Sequence, residues 1–155
     1  MEEQKTKNEV FEFLNKHAIA ILATVSDKNA PHACAMYFVI DEDLNFFFLT
    51  KSSTRRFLHI QGNDKVAIVV TASNSPQSLE VEGVASIVSD PLQQRNVTNQ
   101  IAEKSAHQGK KFWPPPVSQL EGGEIAILKV TPTMCCYCDF FHGEPGKANI
   151  FQIIP

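Results

Sequence analysis

Between residues 18 and 50 the chain alternates three apolar runs with two short polar breaks, and this spacing restricts the fold more than any other feature of the sequence. The runs are Ala18 to Val25, Pro31 to Ile40 and Asn45 to Thr50, and the breaks are Ser26-Asp27-Lys28-Asn29 and Asp41-Glu42-Asp43. Short runs rich in β-branched and aromatic residues read as strands, and clusters of Ser, Asp and Asn between them read as turns. Breaks this short return a chain only antiparallel to itself, since parallel pairing needs a crossover of roughly a dozen or more residues. The first third of the chain is therefore expected to be a β-meander.

The same pattern continues downstream. Val66 to Val70 reads as a fourth strand, Ser78 to Ser89 as a fifth, and Glu124 to Val130 and Met134 to Phe141 as two more. Helices are few. Residues 3–17 set Val10, Phe11, Phe13 and Leu14 among charges, with Thr6 or Asn8 as N-caps. Ser52 or Ser53 caps a second helix that runs through Ile60 and stops at Gly62-Asn63. Asp90-Pro91 opens a third, with Asp as cap and Pro at the first helical position, ending near Ser105. His107 to Pro116 reads as a loop. About seven strands joined by short turns favour closure into a barrel, so the expected fold is mainly β (α+β), a single domain over residues 1–155. At 155 residues such a domain buries roughly 68–70% of the surface that its unfolded chain exposes.

Several function classes are disfavoured at once. A hydrophobic content of 43% with 20% charged residues is that of an ordinary globular protein. No apolar run approaches the roughly 18 residues of a membrane helix, and the first residues, Met1-Glu2-Glu3-Gln4-Lys5, lack the basic and apolar stretches of a secretory signal. No membrane is expected, and the expected location is the cytoplasm. Three of the four cysteines, Cys135, Cys136 and Cys138, fall within four residues, a poor spacing for disulfides, so they read as reduced thiols. With His142 they also resemble part of a metal set, but the spacing and the missing second pair favour a cysteine-rich strand and no metal. The five histidines, His17, His32, His59, His107 and His142, are scattered. No residue is assigned as a catalytic acid, base or nucleophile, so in an enzyme a bound cofactor would carry the chemistry.

One stretch stands apart. Thr50-Lys51-Ser52-Ser53-Thr54-Arg55-Arg56 gathers four hydroxyls and three cations in a chain of net charge −3. It falls where a strand ends and a helix begins, and the first turn of a helix leaves N–H groups unsatisfied at the positive end of its dipole. Arg55 and Arg56 add planar guanidinium groups suited to phosphate oxygens, and Thr50, Ser52, Ser53 and Thr54 add neutral donors. Two readings stand on composition: a phosphate-sized anion site, or a capped and solvated helix start. Nucleic acid is disfavoured, because one short basic patch on an acidic chain lacks an extended basic face.

The order of a helix, "AILATVSDKNAPHACAMYFVIDEDLNFFFLT", "STRR", "KVAIVV" and "VEGVASIVSD" resembles the pyridoxamine 5′-phosphate oxidase-like family of FMN-binding split β-barrels, most closely over residues 8–92. The resemblance implies FMN as cofactor, with Thr50, Arg55 and Arg56 at its phosphate, and the Ser53 hydroxyl noted above is expected beside them. It implies that Leu49 and the second strand, with Cys34, Ala35, Met36 and Tyr37, line the flavin, and that Ser78 contacts it. It also implies a homodimer with flavin sites at the subunit interface, where Trp113 either closes the partner's site or packs its proline-rich loop onto the core. Two departures matter. Cys34 and Val39 stand where the oxidases carry Arg and Lys, and Lys147-Ala148-Asn149 stands where they carry Arg-x-His. Pyridoxamine phosphate is therefore not the expected substrate. The sequence leads to a flavin-dependent oxidoreductase acting on another small molecule, or else to a non-catalytic flavin- or haem-binding protein for storage or sensing.

Overall fold

The computed structural model describes residues 2–108, 114, 122–140 and 149–154. Its elements are α1 (Glu2–Asn15), β1 (Ile19–Val25), β2 (Pro31–Ile40), β3 (Phe46–Lys51), α2 (Arg55–Gly62), β4 (Lys65–Thr71), β5 (Gln77–Ile87), α3 (Pro91–Ala106), β6 (Ile125–Asp139) and β7 (Asn149–Ile154). The strands form one antiparallel sheet in the order β3-β2-β1-β4-β5-β6-β7. Pairing of β3 with β6, from Phe46 opposite Val130 to Lys51 opposite Ile125, closes the first six strands into a barrel, and β7 extends the far half of β6.

The meander forms where the turn chemistry requires it. Ser26 Oγ accepts the N–H groups of Lys28 and Ala30, and Asn29 takes the positive φ of 61° that Asn tolerates better than most residues. In the next turn the Asp41 carboxylate accepts the amides of Asp43 and Asn45 at 3.0 and 2.9 Å. This holds Leu44 at φ 62°, a conformation strained for a branched side chain that burial of Leu44 in the core offsets.

The run Phe46 to Leu49 is apolar throughout because β3 is covered on both sides. Phe46 and Phe48 point into the barrel with Leu22, Met36, Phe38, Ile68, Leu79 and Leu128. Phe47 and Leu49 point outward, where they pack with Tyr37, Val39 and Ile127 beneath Val97 and Ile101 of α3. Asp90 caps α3 by accepting the Leu92 amide, and Lys104 near its end donates to the Phe38 carbonyl at 2.9 Å. Burial lowers the Lys104 pKa to about 8. Val10, Phe13 and Leu14 of α1 join the barrel core.

Three expectations are corrected and one element is added. The two strands expected from Glu124 to Phe141 are one, β6, running through Pro132. A proline is tolerated there because the β5–β6 register shifts at Glu82/Gly83, a bulge that removes the need for its missing N–H. The strand β7 was not foreseen. The helix α1 begins at Glu2, which places Thr6 and Asn8 inside it and not at its cap. The cap of α2 is Thr54, since Ser52 instead continues the β3–β6 ladder by donating its amide to Glu124 O at 2.9 Å.

Candidate functional site

Thr50 ends the inward-facing row that Phe46 and Phe48 begin, so its hydroxyl lies at the barrel's rim, 2% exposed. Thr54 stands four residues later as the cap of α2. Its hydroxyl accepts the Phe57 amide at 3.4 Å and donates to the Lys51 carbonyl at 2.8 Å. A hydroxyl has one proton to give, so in the 2.9 Å contact between the two threonines Thr50 donates and Thr54 accepts. That leaves Thr50 a lone pair for Arg56, whose Nε donates to it at 2.9 Å. Arg56 Nη1 also reaches Cys34 Sγ at 3.4 Å. These residues draw the end of β3, the first turn of α2 and the start of β2 into one hydrogen-bonded corner.

The neutral partners fix the Arg56 guanidinium without neutralising its charge. Arg55 and Ser53 beside it are exposed, and no acidic residue stands in the first turn of α2. The helix supplies no carbonyl of its own to the amides of its first residues. The corner therefore presents two guanidinium groups, hydroxyls and free amide positions in one place, which is the donor set of a phosphate site.

Two histidines and a further threonine belong to the same corner. The Thr24 hydroxyl and His59 Nδ1 are 3.0 Å apart, and the rings of His59 and His32 meet edge to face with centroids 6.0 Å apart. Sequence reasoning missed them by treating the histidines as scattered. The signal was present, since His32 is two residues before Cys34 on the same face of β2, and His59 follows Arg55 by one helical turn. Burial, then Arg55, Arg56 and His59, hold the His32 pKa below the usual histidine value. On the other side of Thr24 an open groove of about 500 Å³ runs over the outer sheet face, lined by Ala23, Val25, Ala67, Val84, Lys65 and Glu82 among others.

The other expected residues divide by face. Met36 points into the barrel core with Cys34 packed against it. Tyr37 and Leu49 lie under α3, where the Tyr37 hydroxyl donates to the Pro114 carbonyl, and Ala35 faces outward, half-buried. Ser78 lies on the outward face of β5, separated from β2 by β1 and β4, and is not part of the corner. Lys51 is half-buried, its stem 3.3 Å from where a Cβ on Gly123 would be. Trp113 and Lys147-Ala148 lie outside the described residues. The cysteines Cys34, Cys135, Cys136 and Cys138 are free, and burial pushes Cys135 up to about 11. Among the described residues no group of three or more His, Cys, Asp or Glu is placed to hold a metal ion, and no helix is long and apolar enough to cross a membrane.

Comparison with known proteins bears on the family and the fold. The family model described as pyridoxamine 5′-phosphate oxidase matches residues 6–132. No curated protein matches the sequence significantly. Among solved structures, a Clostridium acetobutylicum protein related to general stress protein 26 of B. subtilis (pyridoxinephosphate oxidase family) has TM-score 0.65 at 19% identity, covering 96% of this chain and 95% of that one. An F420 reductase has TM-score 0.59 at 26% identity, covering 76% and 88%. HutZ, the haem storage protein from Vibrio cholerae, has TM-score 0.62 at 21% identity, covering 81% and 88%.

Proposed function

This chain belongs to the pyridoxamine 5′-phosphate oxidase family, and on that premise we propose that it is an FMN-binding flavoprotein acting as a flavin-dependent oxidoreductase on a small molecule. The observation that carries this reading is the corner itself, in which Arg55 and Arg56 stand at a helix start with no carboxylate in its first turn, with an open groove on the other side of Thr24. Arg55, Arg56 and Ser53 would hold the phosphate, and Thr50 and Cys34 fix the direction of the Arg56 guanidinium. The small outward side chains Ala23 and Ala67 leave room for a planar ring against the sheet, and the groove falls within the roughly 300–1,000 Å³ of small-molecule sites. When bound, the flavin supplies hydride or electron exchange, while the chain binds, orients and excludes water. The free cysteines fit a cytoplasmic location. Absorbance and mass spectrometry of the purified protein test the cofactor: flavin bands with a mass matching FMN are expected, and a Soret band would replace this reading with a haem-binding one.

A second copy of the chain completes the site in this reading. The outer face of β1, β2 and β4 carries Ala33, Ala35, Ala67, Ile21 and Val69, with Ile21 42% and Val69 37% exposed. Contiguous apolar surface of this kind marks an interaction site, and the groove lies along its edge. Light scattering is expected to give about twice the 17.3 kDa chain mass. A monomer that binds FMN tightly would remove the partner from the site.

Pyridoxamine phosphate is expected to be turned over far below the ordinary enzyme rate of about 10 per second. Its phosphate would find Lys147-Ala148-Asn149 where the oxidases carry Arg-x-His, and a buried charge without a partner is costly. Pyridoxal phosphate formation at an ordinary rate would refute this.

A further inference from the structure

Four side chains that carry or can accept positive charge crowd the corner. Arg55, Arg56 and His59 come from α2, and His32 comes from β2. His59 follows Arg55 by four residues and so shares its helix face. The His32 ring abuts the His59 ring edge to face, and its Nδ1 is the one buried side-chain nitrogen or oxygen among the described residues with no hydrogen-bond partner. After burial, the influences that lower the His32 pKa come from Arg55, Arg56 and His59. The other elements packed there bring the Thr24 hydroxyl from β1 and the Cys34 thiol from β2, while Lys65 and Glu82 lie along the groove beyond Thr24. Like charges packed together disfavour their own ionisation, and an anion among them reverses that.

We propose that His32 is a further binding residue of this corner, neutral while the corner is empty and protonated when a phosphate monoester occupies it, so that anion binding and proton uptake are one linked event. The inference rests on the flavin reading for its ligand and adds to it a residue and a pH dependence. Linkage fixes the sign. A dianion close to His32 raises its pKa, and by reciprocity the protonated ring strengthens dianion binding as pH falls. A rise of about one unit corresponds to roughly tenfold in affinity at the acidic limit. His32 is singled out because its Nδ1 has no partner in the corner, whereas His59 Nδ1 is already hydrogen-bonded to the Thr24 hydroxyl.

The test is a fluorescence titration with FMN, and with riboflavin in parallel, from about pH 8 to about pH 5.5 across the histidine range, for the unaltered protein and for His32→Gln. The phosphate of FMN itself titrates near pH 6, so the informative quantity at each pH is the ratio of the His32→Gln dissociation constant to that of the unaltered protein for the same ligand, in which the ligand's ionisation cancels. That ratio is expected to rise roughly tenfold toward the acidic end for FMN and to stay flat for riboflavin. Proton NMR of the unaltered protein gives a second reading that needs no folded variant beyond assignment: the His32 midpoint should move up by about one pH unit when FMN is bound. Tight FMN binding with a flat ratio and an unmoved midpoint overturns the role of His32 and leaves the flavin reading intact. A ratio that rises for His59→Gln and stays flat for His32→Gln overturns the assignment to His32. Absence of FMN binding at every pH overturns the flavin reading, and this inference with it.

Discussion

Phe48→Ala is expected to cost about 3–5 kcal/mol of folding stability, a large share of the roughly 5–15 kcal/mol that holds a domain of this size. Phe48 is fully buried, points into the barrel and stacks on Phe46 with ring centroids 6.3 Å apart. Its strand is the one that closes the barrel, paired with β2 on one side and β6 on the other. The walls around it are hydrogen-bonded strands that cannot collapse into the space a deleted ring would leave. Urea unfolding should show the loss as a lower midpoint with an unchanged slope. Leu58→Ala serves as control, since Leu58 sits on α2 at 56% exposure and its truncation should change stability by less than about 0.5 kcal/mol. A Phe48→Ala loss below about 1.5 kcal/mol would mean that the barrel repacks, against the two-sided burial of β3 described above. The same variant bears on function, because Thr50 is the next inward residue after Phe48 and anchors Arg56.

Elements defined by local chemistry could be read from the sequence, and those defined by distant contacts could not. The β2 strand, Pro31–Ile40, lies between the expected residues because both turns beside it carry their own side-chain instructions, Ser26 on one side and Asp41 on the other. Asp90-Pro91 likewise announced α3. In contrast, Pro132 signals a break in any local reading, and only the bulge opposite it, at Glu82/Gly83, lets β6 continue. Gly83 is required there, since a Cβ would come within 2.7 Å of the Thr131 carbonyl oxygen, a distance no alanine can occupy without moving the backbone. The candidate site divides in the same way. Thr50, Arg55 and Arg56 cluster within seven residues and were visible as composition. His32 and Thr24 reach the corner only because β1 and β2 are paired, with Thr24 opposite His32 in the ladder.

Arg56→Ala is expected to weaken FMN binding by roughly 10- to 150-fold, the loss of one charge-assisted contact worth about 1.5–3 kcal/mol, while leaving riboflavin binding within a few-fold. The structure sharpens the reason for singling out Arg56. Its guanidinium is already held by Thr50 at 2.9 Å and Cys34 at 3.4 Å, so little side-chain freedom is lost when an anion arrives. Arg55 is exposed and makes a weaker, more screened contribution, and Arg55→Ala should cost less than Arg56→Ala. Lys51→Ala should cost least of the three, because Lys51 belongs to β3, ahead of the Thr54 cap, with its stem against Gly123. Added salt should narrow the gap between FMN and riboflavin in the unaltered protein, since it screens the phosphate and leaves the ring contacts alone. Thr50→Val provides an independent check: it removes the hydroxyl that orients Arg56 while keeping the charge, so it should weaken FMN by a smaller factor than Arg56→Ala and again spare riboflavin. Equal losses for both ligands in Arg56→Ala would make Arg56 a support for the ring or the fold. Silence in both Arg55→Ala and Arg56→Ala would reduce the corner to a capped helix start whose cations face only water.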